Sequence, residues 1–134
     1  MRSDRKRIKF RELVLKSGIK MLLGRDAETN DELMKMYKGK ENIILHTKYP
    51  GSPFCVIDNL YPNEREIYLA GVVVAKYSKF WKKYKQDVEI DVFNGTAVSK
   101  PKNSKKGLWN VKNTRTIKIK KEDILRFENE GLFE

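Results

Sequence analysis

The chain has 134 residues, 40% of them hydrophobic, which suffices for one core and is short for two. Its 29 Lys and Arg against 18 Asp and Glu give a formal charge of +11, so the expected partner is a polyanion: nucleic acid, an anionic membrane face or an acidic protein. One cysteine excludes an intrachain disulfide and a thiolate metal site, and no apolar run nears the roughly 20 residues that span a bilayer, so a cytoplasmic protein is expected.

Residues 1–9 carry Arg2, Arg5, Lys6, Arg7 and Lys9 against Asp4 alone and read as a flexible basic arm or a solubilising tail, ahead of a single domain over residues 10–134. From Phe10, Leu13 and Leu15 alternate with polar neighbours, Lys16-Ser17-Gly18 supplies a turn, and residues 19–23 resume an extended run, which together predict a β-hairpin. Asp26 is placed to cap a helix over residues 27–38, whose Asn30, Leu33, Met34 and Tyr37 share one face and which Gly39 ends. Strands at residues 42–47 and 54–58 flank Lys48-Tyr49-Pro50-Gly51-Ser52-Pro53, where the Pro-Gly pair favours a turn.

After Pro62, Asn63 and Glu66 form the two halves of a capping box. One long helix is expected to follow, with Ile67, Ala70, Val74, Tyr77 and Trp81 facing a sheet and Lys76, Lys79 and Lys83 forming a wet basic stripe. Val88, Ile90 and Val92 alternate with Glu89 and Asp91 as in a strand. A loop over residues 99–106 leads to a last hairpin, residues 108–111 and 116–119 about Asn113-Thr114, and the chain ends in an amphipathic segment from Glu122. The fold class expected is α+β: a single domain with a largely antiparallel sheet of hairpins packed by two helices.

His46 is the only histidine, and no Cys-x-x-Cys, phosphate-binding loop or Gly-x-Ser-x-Gly elbow is present, so no catalytic residue, metal or cofactor is expected. His46 reads as a structural residue or a ligand contact, with catalysis beside a carboxylate as the alternative. Cys55, set among Phe54, Val56 and Ile57, reads as a buried thiol. The chemistry-bearing stretch is residues 100–121, where Lys100, Lys102, Lys105, Lys106, Lys112, Arg115, Lys118, Lys120 and Lys121 occur with no Asp or Glu between Val92 and Lys121. One-signed charge with Trp109 among it suits phosphate contact and base stacking, against the alternative of a merely solvated basic face. A membrane fits less well because the apolar helix face is needed for the core. RNA fits better than duplex DNA, since no helix carries a groove-reading array.

Four ordered stretches resemble the NFACT-R domain, the RNA-binding domain of the NFACT family of ribosome-associated quality-control and fibronectin-binding-protein-A-like proteins. They are Gly24-Arg25-Asp26-Ala27 with Asn30 and Leu33; His46 with Pro50-Gly51-Ser52-Pro53; Ala70, Ala75, Tyr77-Ser78-Lys79 and Trp81; and Val98-Ser99-Lys100-Pro101-Lys102 running through Lys105, Lys106 and Gly107. Lys106 stands where the family loop often has proline. The resemblance implies a solo RNA-binding module for tRNA or ribosomal RNA, with the large ribosomal subunit as a partner. The untemplated tailing of the large family members is not expected to carry over. The alternative it implies is an accessory, substrate-presenting component beside a separate RNA-modifying enzyme, as in tRNA thiolation. The RNA-binding set expected is Arg25, Asn30, His46, Ser52, Lys79, Lys100, Lys102, Lys105, Lys106, Trp109 and Arg115. For Gly24-Arg25-Asp26 a plain helix cap with a surface ion pair is the alternative to an anion contact at the helix N-terminus.

Overall fold

A computed structural model describes residues 10–133; the basic arm expected over residues 1–9 lies outside the described residues. Strands β1 (Arg11–Val14) and β2 (Lys20–Leu23) form the first hairpin, followed by helix α1 (Ala27–Tyr37). Asp26 caps α1 by accepting from the Thr29 backbone N–H, and the Thr29 side chain returns a bond to the cap backbone. Next come β3 (Ile43–Thr47), β4 (Cys55–Ile57), α2 (Glu64–Lys76), α3 (Lys79–Tyr84), β5 (Val88–Asn94), β6 (Val98–Ser99), β7 (Asn110–Val111), β8 (Arg115–Ile119) and α4 (Lys121–Glu130).

Six strands form one sheet in the order β1-β2-β4-β3-β5-β8, every neighbouring pair antiparallel. Because side chains alternate across a strand, both faces are apolar and each meets its own layer. Met21, Leu23, Leu45, Ile57, Ile90 and Val92 pack with residues of α2, α3 and α4. Their sequence neighbours Leu22, Ile44, Val56 and Phe93 pack with Leu33 and Met34 of α1, with Val98 of the small β6-β7 sheet and with Trp109 just ahead of β7. The domain is therefore α+β in three layers, with four α-helices among the described residues where two were expected.

Two further expectations are corrected. The long helix after Pro62 is interrupted: α2 ends at Lys76 and α3 restarts at Lys79. Ser78, fully buried, makes the break by donating its hydroxyl to the Ala75 carbonyl at 2.7 Å and accepting from the Trp81 N–H at 3.1 Å. That restart turns Trp81 inward, where its indole N–H reaches Glu128 Oε2 at 2.9 Å. The last hairpin also does not form: β7 pairs with β6, and β8 completes the large sheet beside β5, with Ile117 opposite Ile90 and Ile119 opposite Val88. Burial of Ile119 among the residues that α2 and α4 cover is the gain that a free-standing ribbon lacks.

Ser78→Ala removes both bonds at the break and leaves a buried N–H without its acceptor. We expect a loss of about 1–2 kcal/mol in urea unfolding with the m-value unchanged; an unaltered midpoint would show that the break forms without the cap.

Candidate functional site

At one end of the sheet, four connections come together around an open cleft of about 800 Å³. The β2–α1 turn, the β3–β4 corner, the start of α3 and the loop between β6 and β7 each supply part of its wall. These are the four stretches that the sequence singled out, and direct bonds join them in pairs.

The first junction is at Gly24. Its N–H donates to the Phe54 carbonyl at 3.1 Å, while Asn30 Oδ1 accepts from the Phe54 N–H at 3.0 Å. Asn30 thereby holds the start of β4 against α1, and it comes so close to Gly24 that a Cβ there would lie 1.9 Å from Oδ1. Glycine is required at this position by that approach. What remains of the Asn30 amide for a ligand is its Nδ2 donor.

The second junction joins the β3–β4 corner to α3. Lys79 N–H donates to the Gly51 carbonyl at 2.8 Å, and a Cβ on Gly51, whose φ is +91°, would meet the Lys79 side chain at 2.7 Å. The aliphatic stem of Lys79 thus lies on the turn. Ser52 Oγ accepts from the Thr47 N–H at 3.1 Å and so shapes the corner from within.

The third junction is the tightest. Asp31 of α1, only 7% exposed, accepts three bonds on Oδ1: from Gly107 N–H at 2.7 Å, Trp109 Nε1 at 2.9 Å and Lys100 Nζ at 3.3 Å. Lys100 Nζ also donates to the carbonyls of Lys105 and Leu108, at 2.6 and 2.9 Å, so the loop is wound around its ammonium. Burial works against the charged carboxylate, but the bonds from Gly107, Trp109 and Lys100 outweigh it and hold Asp31 below the usual carboxylate range.

His46 lies on β3 opposite Asp91 of β5 and packs its ring against Phe54 at 4.4 Å between centroids. Its Nδ1 is 2.7 Å from the Thr47 carbonyl, an acceptor, so Nδ1 carries the proton and Nε2 is the acceptor. Desolvation lowers its pKa below the usual imidazole value against the opposing effects of the Thr47 bond, of Asp91 and of the Ser52 backbone, which favours the neutral ring.

Six cations from five segments line the cleft: Arg11, Arg25, Lys48, Lys79, Lys82 and Lys106. Among the described residues only two carboxylates oppose them. Asp26 is committed to its helix cap, and Asp91 accepts from the Thr116 hydroxyl at 3.0 Å. Cations gathered on a concave wall focus positive potential where a phosphate would enter.

Of the expected set, Arg25, Asn30, His46, Ser52, Lys79, Lys106 and Trp109 border this cleft, while Lys100, Lys102, Lys105 and Arg115 do not. Three of the expected residues already have partners within the fold. Lys100 serves as the internal cation of its own loop, because a carboxylate and two carbonyls already surround it. Arg115 donates from Nη2 to both oxygens of Glu64 at 3.0 Å, in a pair on the exposed surface. Trp109 is 9% exposed with its N–H spent on Asp31, which leaves no open face for a base. Lys102 and Lys105 are exposed outside the cleft. Sequence reasoning missed Arg11 and Lys48, which are isolated from the other cleft cations in sequence, and Lys82, one of several lysines on α3, and it missed Asp31, an acid that looks like any other on a helix. Cys55 is fully buried, and desolvation drives its thiol pKa upward, so no thiolate is presented. Among the described residues no group of three or more His, Cys, Asp or Glu is arranged to hold a metal.

A family model described as the NFACT protein RNA binding domain matches residues 11–121. Among solved structures, the chain is similar to the C-terminal part of the fibronectin/fibrinogen-binding protein from Streptococcus suis, with a TM-score of 0.77 and 25% identity. That match covers 89% of this chain and 48% of the other, so this chain spans about half of it. No curated protein matches.

Because the carboxylate of Asp31 has a lowered pKa in the fold, its contribution to stability is present above the unfolded value of about 3.9 and is lost as pH falls through the lower folded value. Asp31→Ala strands Lys100 and two N–H donors, and we expect it to cost about 2–4 kcal/mol at pH 7. Asp31→Asn should flatten the acid limb of the stability profile below pH 4. An acid limb of unchanged depth in that variant would assign it to other carboxylates.

Proposed function

The chain belongs to the family of NFACT protein RNA binding domains, and from that premise we propose that it grips tRNA or ribosomal RNA through the basic cleft, without chemistry of its own. The observation that carries this reading is the convergence of six cations from five segments on the one cleft where the four motifs meet. Charges so distributed in sequence gain nothing for the fold by assembling there, and the neighbouring carboxylates are already committed. A phosphate backbone is the polyanion that such a wall accommodates.

RNA is favoured over B-form DNA by the shape of the wall, which is built from turns and helix starts rather than an exposed helix able to enter a major groove. His46 supports the same choice. Its ring borders the cleft beside the cations, and with Nδ1 bonded to the Thr47 carbonyl its remaining nitrogen is an acceptor suited to the ribose 2′-hydroxyl, the donor that RNA has and DNA lacks. A cytoplasmic location is the one that goes with this reading, because tRNA and ribosomes are its proposed partners.

The test is a titration of tRNA at several salt concentrations. Log affinity should fall steeply and linearly with log salt, and an affinity indifferent to salt would sink the reading. In the Lys79→Ala/Lys82→Ala double variant the slope should become shallower by about 1.5, since two phosphate contacts are removed. The Lys102→Ala/Lys105→Ala pair, outside the cleft, should change it less; equal losses from both pairs would show that the grip is not centred on the cleft.

A further inference from the structure

Beside the cleft, three aromatic rings form a continuous ladder. Tyr49 of the β3–β4 corner stacks on Phe80 of α3, with centroids 4.2 Å apart and planes within 10°. Phe80 in turn meets Tyr84, one turn further along α3, at 4.8 Å and 45°. The inner end of the ladder is anchored: Tyr49 lines the cleft and its hydroxyl donates to Glu89 Oε1 at 3.4 Å. The outer end is open, with Tyr84 51% exposed.

The charge around the ladder is of one sign. From Ile67 to Gln86 the chain contains Lys76, Lys79, Lys82, Lys83 and Lys85 and no Asp or Glu. Lys79 and Lys82 line the cleft, and the Lys83 ammonium stands 5.3 Å from the Tyr84 ring centroid. An exposed cation–π contact of that length is weak, so a phosphate readily draws the lysine away. An anchored aromatic face ringed by exposed cations matches a nucleotide, whose base stacks while its phosphate is neutralised. An acidic peptide would use the lysines but would leave the ring face without a planar partner.

Resting on the RNA-binding reading above, we propose that Tyr84, backed by Phe80 and Tyr49, is a stacking platform for an unpaired RNA base next to the backbone segment held in the cleft. The substrate class is then RNA with a loop, bulge or single-stranded end, because the bases of a continuous duplex are stacked on one another and offer no free face. Binding strength comes from the cleft lysines, and the platform selects among RNAs that the cleft alone would treat alike. Trp109, enclosed and bonded to Asp31, leaves this role open for Tyr84.

The experiment uses the full chain and two RNAs: a hairpin with 2-aminopurine in its loop, and a blunt duplex with the same stem sequence. The wild-type chain should prefer the hairpin and quench the 2-aminopurine fluorescence on binding. Tyr84→Ala should weaken hairpin binding about tenfold, collapse the hairpin-to-duplex affinity ratio and abolish the quench. Tyr84→Phe keeps the ring and should stay within about twofold of wild type in both readouts. Circular dichroism and thermal unfolding of each variant establish that this exposed substitution leaves the fold intact. An unchanged ratio and quench in Tyr84→Ala would overturn the platform. If the wild-type chain binds both RNAs equally and with a steep salt dependence, the platform fails and the cleft reading stands. If it binds neither RNA, both fail.

Discussion

Asp31 Oδ1 is the point on which the functional end of the molecule turns. A carboxylate this enclosed is costly unless its charge is matched, and here a lysine ammonium, an indole N–H and a backbone N–H match it together. Each donor belongs to the loop between β6 and β7, while the acceptor belongs to α1. A long connection rich in lysine, which would otherwise repel itself, is thereby wound about Lys100 and fixed against the first helix. Gly107 is brought beside Ala27 by the same clasp, which delivers Lys106 to the cleft while Lys102 and Lys105 stay outside it.

The other walls are held by comparably local devices. Asn30 ties β4 to α1 through the Phe54 N–H, and the Gly51 carbonyl ties the β3–β4 corner to the first residue of α3. None of these bonds is individually strong. Their effect is positional, since each sets a cationic or polar side chain at a defined place on the rim. Sheet, helices and core contribute by making the three junctions meet at one end of the same sheet, where residues distant in sequence become neighbours.

This arrangement separates two functions of charge that composition merges. Lys100 and Arg115 are cations with carboxylate partners; the Lys100–Asp31 pair is enclosed and fixes its loop, whereas Arg115 and Glu64 pair on the exposed surface. Lys79, Lys82 and Lys106 are exposed on the cleft and available to a ligand. Net charge of +11 therefore overstates the charge that can act at the interface and says little about where it acts. His46 adds a neutral element among these cations, its tautomer set by a bond to its own neighbour's carbonyl.

Much of the scaffold was legible in the chain itself. The capping residues Asp26 and Asn63, the alternation through β5 and the turn residues of the first two hairpins are local signals, set by backbone hydrogen bonding and side-chain periodicity within a few residues. Motif resemblance identified the family, because the glycines and polar residues at the junctions are demanded by close approach. The break between α2 and α3 escaped, since Ser78 interrupts a pattern whose apolar spacing continues to Trp81 as though one helix ran through. The pairing of β8 with β5 escaped as well, because a short strand is claimed by whichever edge buries it best, and that edge is known only once the sheet exists. Electrostatic roles were the least legible: sequence determines which residues carry charge, but whether a lysine faces solvent or a carboxylate depends on what folding brings within a few ångströms of its ammonium. Local chemistry thus settled most of the elements and pointed to the family, and tertiary structure decided the helix break, the last strand's partner and which cations remain free to act.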